Sequence, residues 1–343
     1  MFLPRVSVVI VTWNALELLQ RCLPSVTSTD YPDLEIIIAD NGSTDGSAEW
    51  IASRYPDVTL VRHPENWLFC KGNNAAFVVA TGKYVVLLNN DVETPPGWLH
   101  PLVRIAEADE TIAAVQPKVL QFDRRDLFEY AGASGGFLDR LGYPFARGRI
   151  VDCLEPDVGQ YDDVRDIDWG SGAALLLRRE ALQQAGPLDE RFEMHMEEID
   201  LCWRLRRMGY RIVVEPRSHV FHVGGGSLPV RSARKLYFNF RNNLLMLYKN
   251  LPARHFRRVL AERLCFDAAA ACREVLCGRP RSAAAVVRAW CDANRLRRHY
   301  CRLRPERKTP ETLPTYRGSV LIDRYVRGLQ RFSDLPEDLF RGN

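Results

Sequence analysis

Hydrophobic positions in the first part of the chain fall into short blocks separated by polar, turn-prone punctuation. Ser7-Val8-Val9-Ile10-Val11-Thr12 is a nearly continuous apolar run, the pattern of a strand buried on both faces. Trp13-Asn14-Ala15 breaks it, and Leu16 to Val26 has helical spacing. The cycle repeats with a strand over 34–39, a polar loop from Asp40 to Ser47, a helix through Tyr55 and a strand over 58–62. Lys71 to Ala76 leads from a loop into a helix, and a fourth strand over 83–88 closes at Asn89-Asn90-Asp91. Alternation of this kind predicts a mainly parallel sheet with helices on both faces. In such sheets ligands collect at the carboxyl ends of the strands, where Asp40, Asn89 and Asp91 fall.

Periodicity fades over 120–168, which reads as a long irregular insertion; loops of that length are often functional. Asp168-Trp169-Gly170-Ser171-Gly172 then leads into a strand over 173–177, and a short helix over 179–185 ends at Gly186-Pro187. Next comes an amphipathic helical pattern whose start is crowded with acids: Glu197, Glu198 and Asp200. Another strand covers 210–214. From residue 231 onward the pattern becomes helices rich in Arg, Ala, Leu and Cys. Their expected outer faces carry Arg254, Arg257, Arg258, Arg263, Arg273, Arg288, Arg295, Arg297 and Arg298. Three regions follow: an α/β domain over 1–230, a basic helical region over 231–304, and a tail over 305–343.

Composition adds a compartment and a polarity. Of 343 residues, 46% are hydrophobic and 26% charged, ordinary for a soluble globular protein. No apolar run approaches the ~20 residues a membrane-spanning helix needs. Arg5 leads straight into the first strand with no small-residue cleavage site, so no separate signal peptide is expected. Nine cysteines lack any C-x-x-C pair, which points to a reducing, cytoplasmic setting rather than a zinc site or disulfide scaffold. The net charge of +4 hides a balance of −11 over 1–230 and +14 over 231–304. The basic region is therefore expected to meet an anionic surface. A cationic amphipathic helix suits anionic lipid, and so a peripheral place on the inner face of the plasma membrane. Nucleic acid is the competing partner, and no nucleic-acid-binding motif accompanies the charge.

The stretches Ser7 to Asn14, Ala39 to Ser47, Asn66 to Asn74, Leu87 to Asp91 and Trp169 to Ser227 resemble the inverting, nucleotide-sugar-dependent glycosyltransferases of family 2. The nearest branch is the bacterial rhamnosyltransferase-like one, and the resemblance covers roughly residues 5–250. It implies a GT-A fold: a Rossmann-like, mainly parallel mixed sheet over 1–230 that binds a nucleoside diphosphate sugar and a divalent metal, Mg or Mn. Asn89-x-Asp91 stands in place of the family's D-x-D, with Asp91 the implied metal ligand and Asn89 touching sugar or ribose; hard cations take oxygen ligands from such turns. His222, in a pattern resembling H-x-G-G-x-S, is the second implied ligand, although His219 competes for that role. Asp40 would recognise the nucleotide, with Thr12, Asn14 and Asp45 lining the same pocket and Lys71, Gly72 and Asn74 in the next loop. There Leu68 replaces the family's glycine and Cys70 its small residue. Arg241, in the Arg-Asn segment after the core, could bind diphosphate through its fork of donors, or be an ordinary solvated helix residue.

Three roles are open to the acid cluster. Acids favour a helix N-terminus by about 0.3–1 kcal/mol, and Asp200 could pair with Arg204 four residues on for a few tenths of a kcal/mol. Inverting transfer instead requires one general base, and the family's E-D-x-D-x-x-x-R motif puts it at the second acid, here Glu198. Asp200 is the second candidate, structural or acceptor-binding. The expected activity is sugar transfer from a nucleoside diphosphate to a hydroxyl of a glycan or lipid-linked acceptor, in cell-surface polysaccharide biosynthesis. The alternatives are transfer to a polyprenyl phosphate, where no base is needed, and a non-catalytic nucleotide- or glycan-binding relative.

Overall fold

In the computed structural model, which describes residues 3–224, 232–306, 309 and 313–341, the first apolar run becomes β1 (Val6–Thr12), with only Val11 partly exposed. After it come α1 (Leu16–Thr27), β2 (Leu34–Asp40), α2 (Ser47–Arg54), β3 (Thr59–Arg62), α3 (Leu68–Val79) and β4 (Tyr84–Asn89). β5 (Val92–Glu93), α4 (Leu99–Ala108) and β6 (Ile112–Gln121) complete the first half. β1 pairs in parallel with β2 on one side and β4 on the other, and β3 extends the parallel run beyond β2. Leu19, Leu23, Leu102 and Val103 from α1 and α4 cover one face, while Ala76 from α3 packs on the other.

The second half crosses back over the sheet. β7 (Gly136–Leu138), β8 (Pro144–Ala146), β9 (Arg149–Ile150), β10 (Cys153–Leu154) and β11 (Arg165–Asp166) precede β12 (Ala174–Arg178). α5 (Arg179–Ala185), α6 (Glu197–Arg207) and β13 (Arg211–His222) follow. Among the described residues the main sheet runs β11-β13-β6-β12-β4-β1-β2-β3, with β5 paired to β13. β12 is antiparallel to both β4 and β6, so the sheet is mixed although mainly parallel. β13 slips register against β6 between Glu215 and His219, a bulge that bends the strand before its last residue, His222, meets Val92 of β5.

Residues 120–168 are not an irregular loop. They hold the second sheet, β10-β9-β8-β7, and bury Phe128, Phe137, Phe145 and Ile150 completely or nearly so. Strands of two or three residues are too short to display alternation, which is why the pattern is silent there. The tail also packs: Tyr316, Phe332 and Phe340 meet Phe137 and Phe145, mostly tilted or edge-on, at centroid distances of 5.2–6.5 Å. Buried carboxylates fasten it. Asp168 accepts from the Leu138 and Thr315 amides and pairs with Arg206, Asp139 accepts from the Val320 amide, and Glu155 from that of Phe332.

α7 (Ala233–Asn250), α8 (Ala253–Leu276) and α9 (Pro280–Leu296) form the basic helical region, and α10 (Val320–Tyr325) lies in the tail. Most of its arginines face outward, but Arg263 does not. Phe256, Val259, Arg263 and Asp267 form the buried stripe of α8, as 3.6-residue spacing dictates. The Arg263 guanidinium is held by Asp267, the Leu141 carbonyl and Asn243.

Replacing Asp168 with Ala leaves the partly buried Arg206 guanidinium without its carboxylate and the Leu138 and Thr315 amides without their acceptor. Such losses cost about 3–5 kcal/mol, whereas the exposed Arg257→Ala should stay within about 0.5 kcal/mol; chemical denaturation of both variants checks the contrast.

Candidate active site

The carboxyl edge of β1 and β4 opens into a cavity of about 690 Å³. Parallel register sets its floor: Thr12 lies level with Asp40, and Val11 with Asn89. Thr12, Asn89 and Asp91 line one end, with Asn90 donating to the Thr12 hydroxyl at 3.1 Å. Glu197 and Glu198 line another part, and the inner side of α8 a third, through Arg263, Ala270 and Glu274.

The loops expected around the nucleotide divide. Asn14 accepts from the Thr44 amide at 2.7 Å, and Asp45 accepts from the amides of Leu16 and Ser47. The two side chains therefore tie the β1–α1 and β2–α2 loops together rather than lining the cavity. Asp40 is buried with Oδ2 on the Ser43 amide at 3.2 Å and Oδ1 unpartnered; its neighbour Asn41 reaches the cavity. Lys71 lies over the Trp67 ring at 3.8 Å, and Asn74 grips the Leu188 backbone through both amide atoms; neither lines the cavity. Leu68, which stands where the family has glycine, has φ +57°, a conformation costly for a branched side chain. Asn66 accepts from its amide and Asn41 donates to its carbonyl, at 2.8 and 2.9 Å.

At the end of β13, pairing with β5 brings His222 against Asp91, Nε2 to Oδ1 at 3.1 Å. Asn89 lies 3.4 Å from the same nitrogen. On the other side Glu129 sits 3.2 Å from Nδ1. Burial opposes charging of this imidazole, but Asp91 and Glu129 outweigh it and push His222 up to about 10. His219, its rival in the sequence, does not line the cavity. Gly225, Gly226 and Ser227 of the same motif lie outside the described residues. Glu129 was not legible in the sequence: it comes from the insertion, and only β6 and the chain after it bring it to His222.

The acid cluster separates by direction. Asp200 is fully buried and does not line the cavity. It accepts from Arg204 at 2.9 Å, Lys249 at 2.8 Å and Asn250 at 2.8 Å. Burial resists its charge, yet Lys249 and Arg204 hold it below the usual carboxylate range. A catalytic role for Asp200 is not compatible with this enclosure. Glu197 and Glu198 each leave a carboxylate oxygen buried and unpartnered at the cavity. Burial and the neighbouring Glu198 push Glu197 well above the usual range. Burial pushes Glu198 up to about 7, against the pull of the amides of Glu198, Ile199 and Gly172.

A strained segment delivers these acids. Glu193, His195 and Met196 have φ of +65°, +68° and +72°, each costing about 1–3 kcal/mol and persisting only where its surroundings impose it. Arg241 and Asn242 of α7 impose it. Asn242 lies 2.8 Å from the carbonyls of Phe192, Met194 and His195. Arg241 donates to the Arg191 and Phe192 carbonyls at 3.0 Å and to Glu193 at 2.8 Å. The Arg241 fork is thus occupied by the loop's carbonyls and the Glu193 carboxylate and is not turned toward a diphosphate, because those carbonyls would otherwise be buried without donors. His195, unremarked in the sequence, lines the cavity with Nε2 unpartnered, and burial lowers it to about 4.

The model of glycosyl transferase family 2 matches residues 7–153. The chain is 30% identical over 239 residues to the N-acetylglucosaminyl-diphospho-decaprenol L-rhamnosyltransferase of Mycobacterium tuberculosis, covering 63% of this chain and 75% of that one. It is also 30% identical over 225 residues to the O-antigen biosynthesis protein RfbC of Myxococcus xanthus, covering 64% of this chain but spanning only 17% of that relative's length. Among solved structures, GalNAc-T7 with UDP, GalNAc and Mn2+ superposes with a TM-score of 0.56 at 18% identity, over 72% of this chain and 48% of that one. The Pyrobaculum calidifontis mannosyltransferase PcManGT with GDP-Man and Mn2+ gives 0.53 at 21%, over 88% and 81%. These likenesses extend to the mixed sheet and flanking helices of the GT-A glycosyltransferases. The chain belongs to glycosyl transferase family 2.

Proposed function

We propose that this glycosyltransferase moves a sugar from a nucleoside diphosphate donor to a hydroxyl of a glycan or lipid-linked acceptor, with inversion, in cell-surface polysaccharide biosynthesis. The observation that carries the reading is the unpartnered oxygen of Glu198, in the same cavity as the Asp91–His222 pair. Glu198 takes the proton of the acceptor hydroxyl as its oxygen bonds to the anomeric carbon and the nucleoside diphosphate departs from the opposite face. Burial and the neighbouring Glu198 oppose ionisation of Glu197, which favours Glu198 as the base. Transfer to a polyprenyl phosphate, which needs no base, leaves these acids without a purpose.

Asp91 and His222 are the residues that would hold a divalent cation. Their donor atoms, 3.1 Å apart, are spaced as neighbouring ligands of one ion; the carboxylate oxygen suits Mn or Mg, and the imidazole would join it after releasing its proton. No group of three or more acidic, histidine or cysteine side chains is placed for a metal among the described residues, so phosphate oxygens and water would complete the coordination. Such an ion supplies charge stabilisation to the departing diphosphate. Thr12 and Asn89 would position the donor beside it.

Glu198→Gln should lower turnover by roughly 10²–10⁴-fold. Wild-type turnover should rise with pH through about 7, as the carboxyl ionises, and the variant should lose that limb. Because ionising this buried carboxyl disfavours the fold, stability should fall as pH rises from the ordinary carboxylate range through about 7, less steeply in Glu198→Gln. Near-wild-type rates in the variant would remove Glu198 as base, and no turnover by the unmutated protein across a donor and acceptor panel would favour a binding-only protein. Separately, Mn2+ should enhance thermal stabilisation by a matching nucleotide sugar, and Asp91→Ala and His222→Ala should each abolish that enhancement. Stabilisation indifferent to chelator and to both substitutions would remove the metal from the reading.

A further inference from the structure

Helix α8 has two faces of opposite character. Phe256, Val259, Arg263 and Asp267 are buried on its inner face, which continues through Ala270 and Glu274 into the wall of the cavity. On its outer face Ala261, Leu264, Cys265, Ala268, Ala269, Cys272, Val275 and Leu276 are all exposed. Leu264 and Val275 are each 56% exposed and Leu276 88%. Apolar residues exposed singly are ordinary, but these share one stripe about 22 Å long at helical rise. Glu262 is the acid at its edge, and Arg140 engages it.

The stripe is framed by charge of one sign. Arg254, Arg257 and Arg258 are exposed on the first turns of α8. α9 packs against α8 and exposes Arg281, Arg288 and Arg295, with Val287 60% exposed among them, and Arg298 is exposed just past its end. Of these, Arg288 and Arg295 share Asp292. Apolar side chains bordered by guanidinium groups on long stems fit an anionic lipid interface: the apolar row enters the acyl boundary and the arginines reach the headgroups. No helix among the described residues is long and apolar enough to cross a membrane, so such a face would lie on a bilayer.

We propose that the outer face of α8, flanked by the arginines of α8 and α9, docks the protein flat on an anionic bilayer. A second copy of this chain is disfavoured as occupant, since face-to-face pairing would set arginine against arginine. The consequence for catalysis rests on the transferase reading above. The helix that touches lipid with one side bounds the cavity with the other, so an acceptor carried on lipid meets the site without leaving the surface.

The test is co-sedimentation of the full chain with vesicles of phosphatidylglycerol and phosphatidylcholine, against phosphatidylcholine alone. Pelleting is expected only with the anionic vesicles and should weaken in high salt. Leu264→Glu/Leu276→Glu and Arg257→Glu/Arg258→Glu should each lower vesicle affinity by roughly tenfold or more, with wild-type melting temperatures showing that the fold is intact. Failure of the wild type to pellet with anionic vesicles, or equal pelleting of the variants, overturns the proposal. So does sedimentation velocity showing a wild-type dimer that Leu264→Glu/Leu276→Glu dissolves, which would give the face to a second copy. Turnover with a water-soluble acceptor is read on the same samples: its absence counts against the transferase reading and leaves the vesicle result standing.

Discussion

The grip of α7 on the chain before α6 is the constraint from which the acidic side of the cavity follows. Three residues within four positions take left-handed backbone angles there without being glycine. A segment with that backbone would relax if it were free. Instead its carbonyls are turned inward onto Asn242 and Arg241, and the conformation becomes cheaper than leaving those donors and acceptors buried and unpaired. The turn it produces starts α6 with Glu197 and Glu198 at the cavity. The first helix of the basic region is therefore a structural part of the site built by the α/β sheet.

Neighbouring acids acquire opposite fates from geometry alone. Residues 198 and 200 are two apart, so an α-helix directs them to different sides. Glu198 turns to open cavity and keeps an oxygen without a donor. Asp200 turns to α7 and is surrounded by Lys249, Asn250 and Arg204. Arg204 also donates to the Gly186 and Pro187 carbonyls at 2.9 Å, so this network fixes the end of α5 as well. The two carboxylates, similar in sequence, differ in whether a cation was folded against them.

The strand ends that edge the cavity were legible because they depend on short-range pattern. Apolar runs locate β1, β2 and β4, and the polar residues that close them, Thr12, Asp40 and Asn89, fall at the edge where such sheets bind ligands. What escaped depends on long-range meeting. Glu129 becomes a partner of His222 only through the path of the insertion, and Arg241 looked available because its backbone partners lie about fifty residues earlier. Arg263 was assigned to a solvated face on charge, whereas its helical phase puts it with Phe256 and Val259. The insertion itself was invisible for a simpler reason: two-residue strands show no period.

The tail completes a wall that the insertion cannot finish. Phe137 and Phe145 find their cover in Tyr316, Phe332 and Phe340, residues synthesised long after them. During translation those two rings stand as uncovered apolar surface after the Rossmann-like strands have had time to pair, and exposed surface of that kind is what draws chaperones or self-association. The order of synthesis thus leaves this side of the molecule as the last to set, with a window of vulnerability that closes only when the chain beyond α9 has emerged.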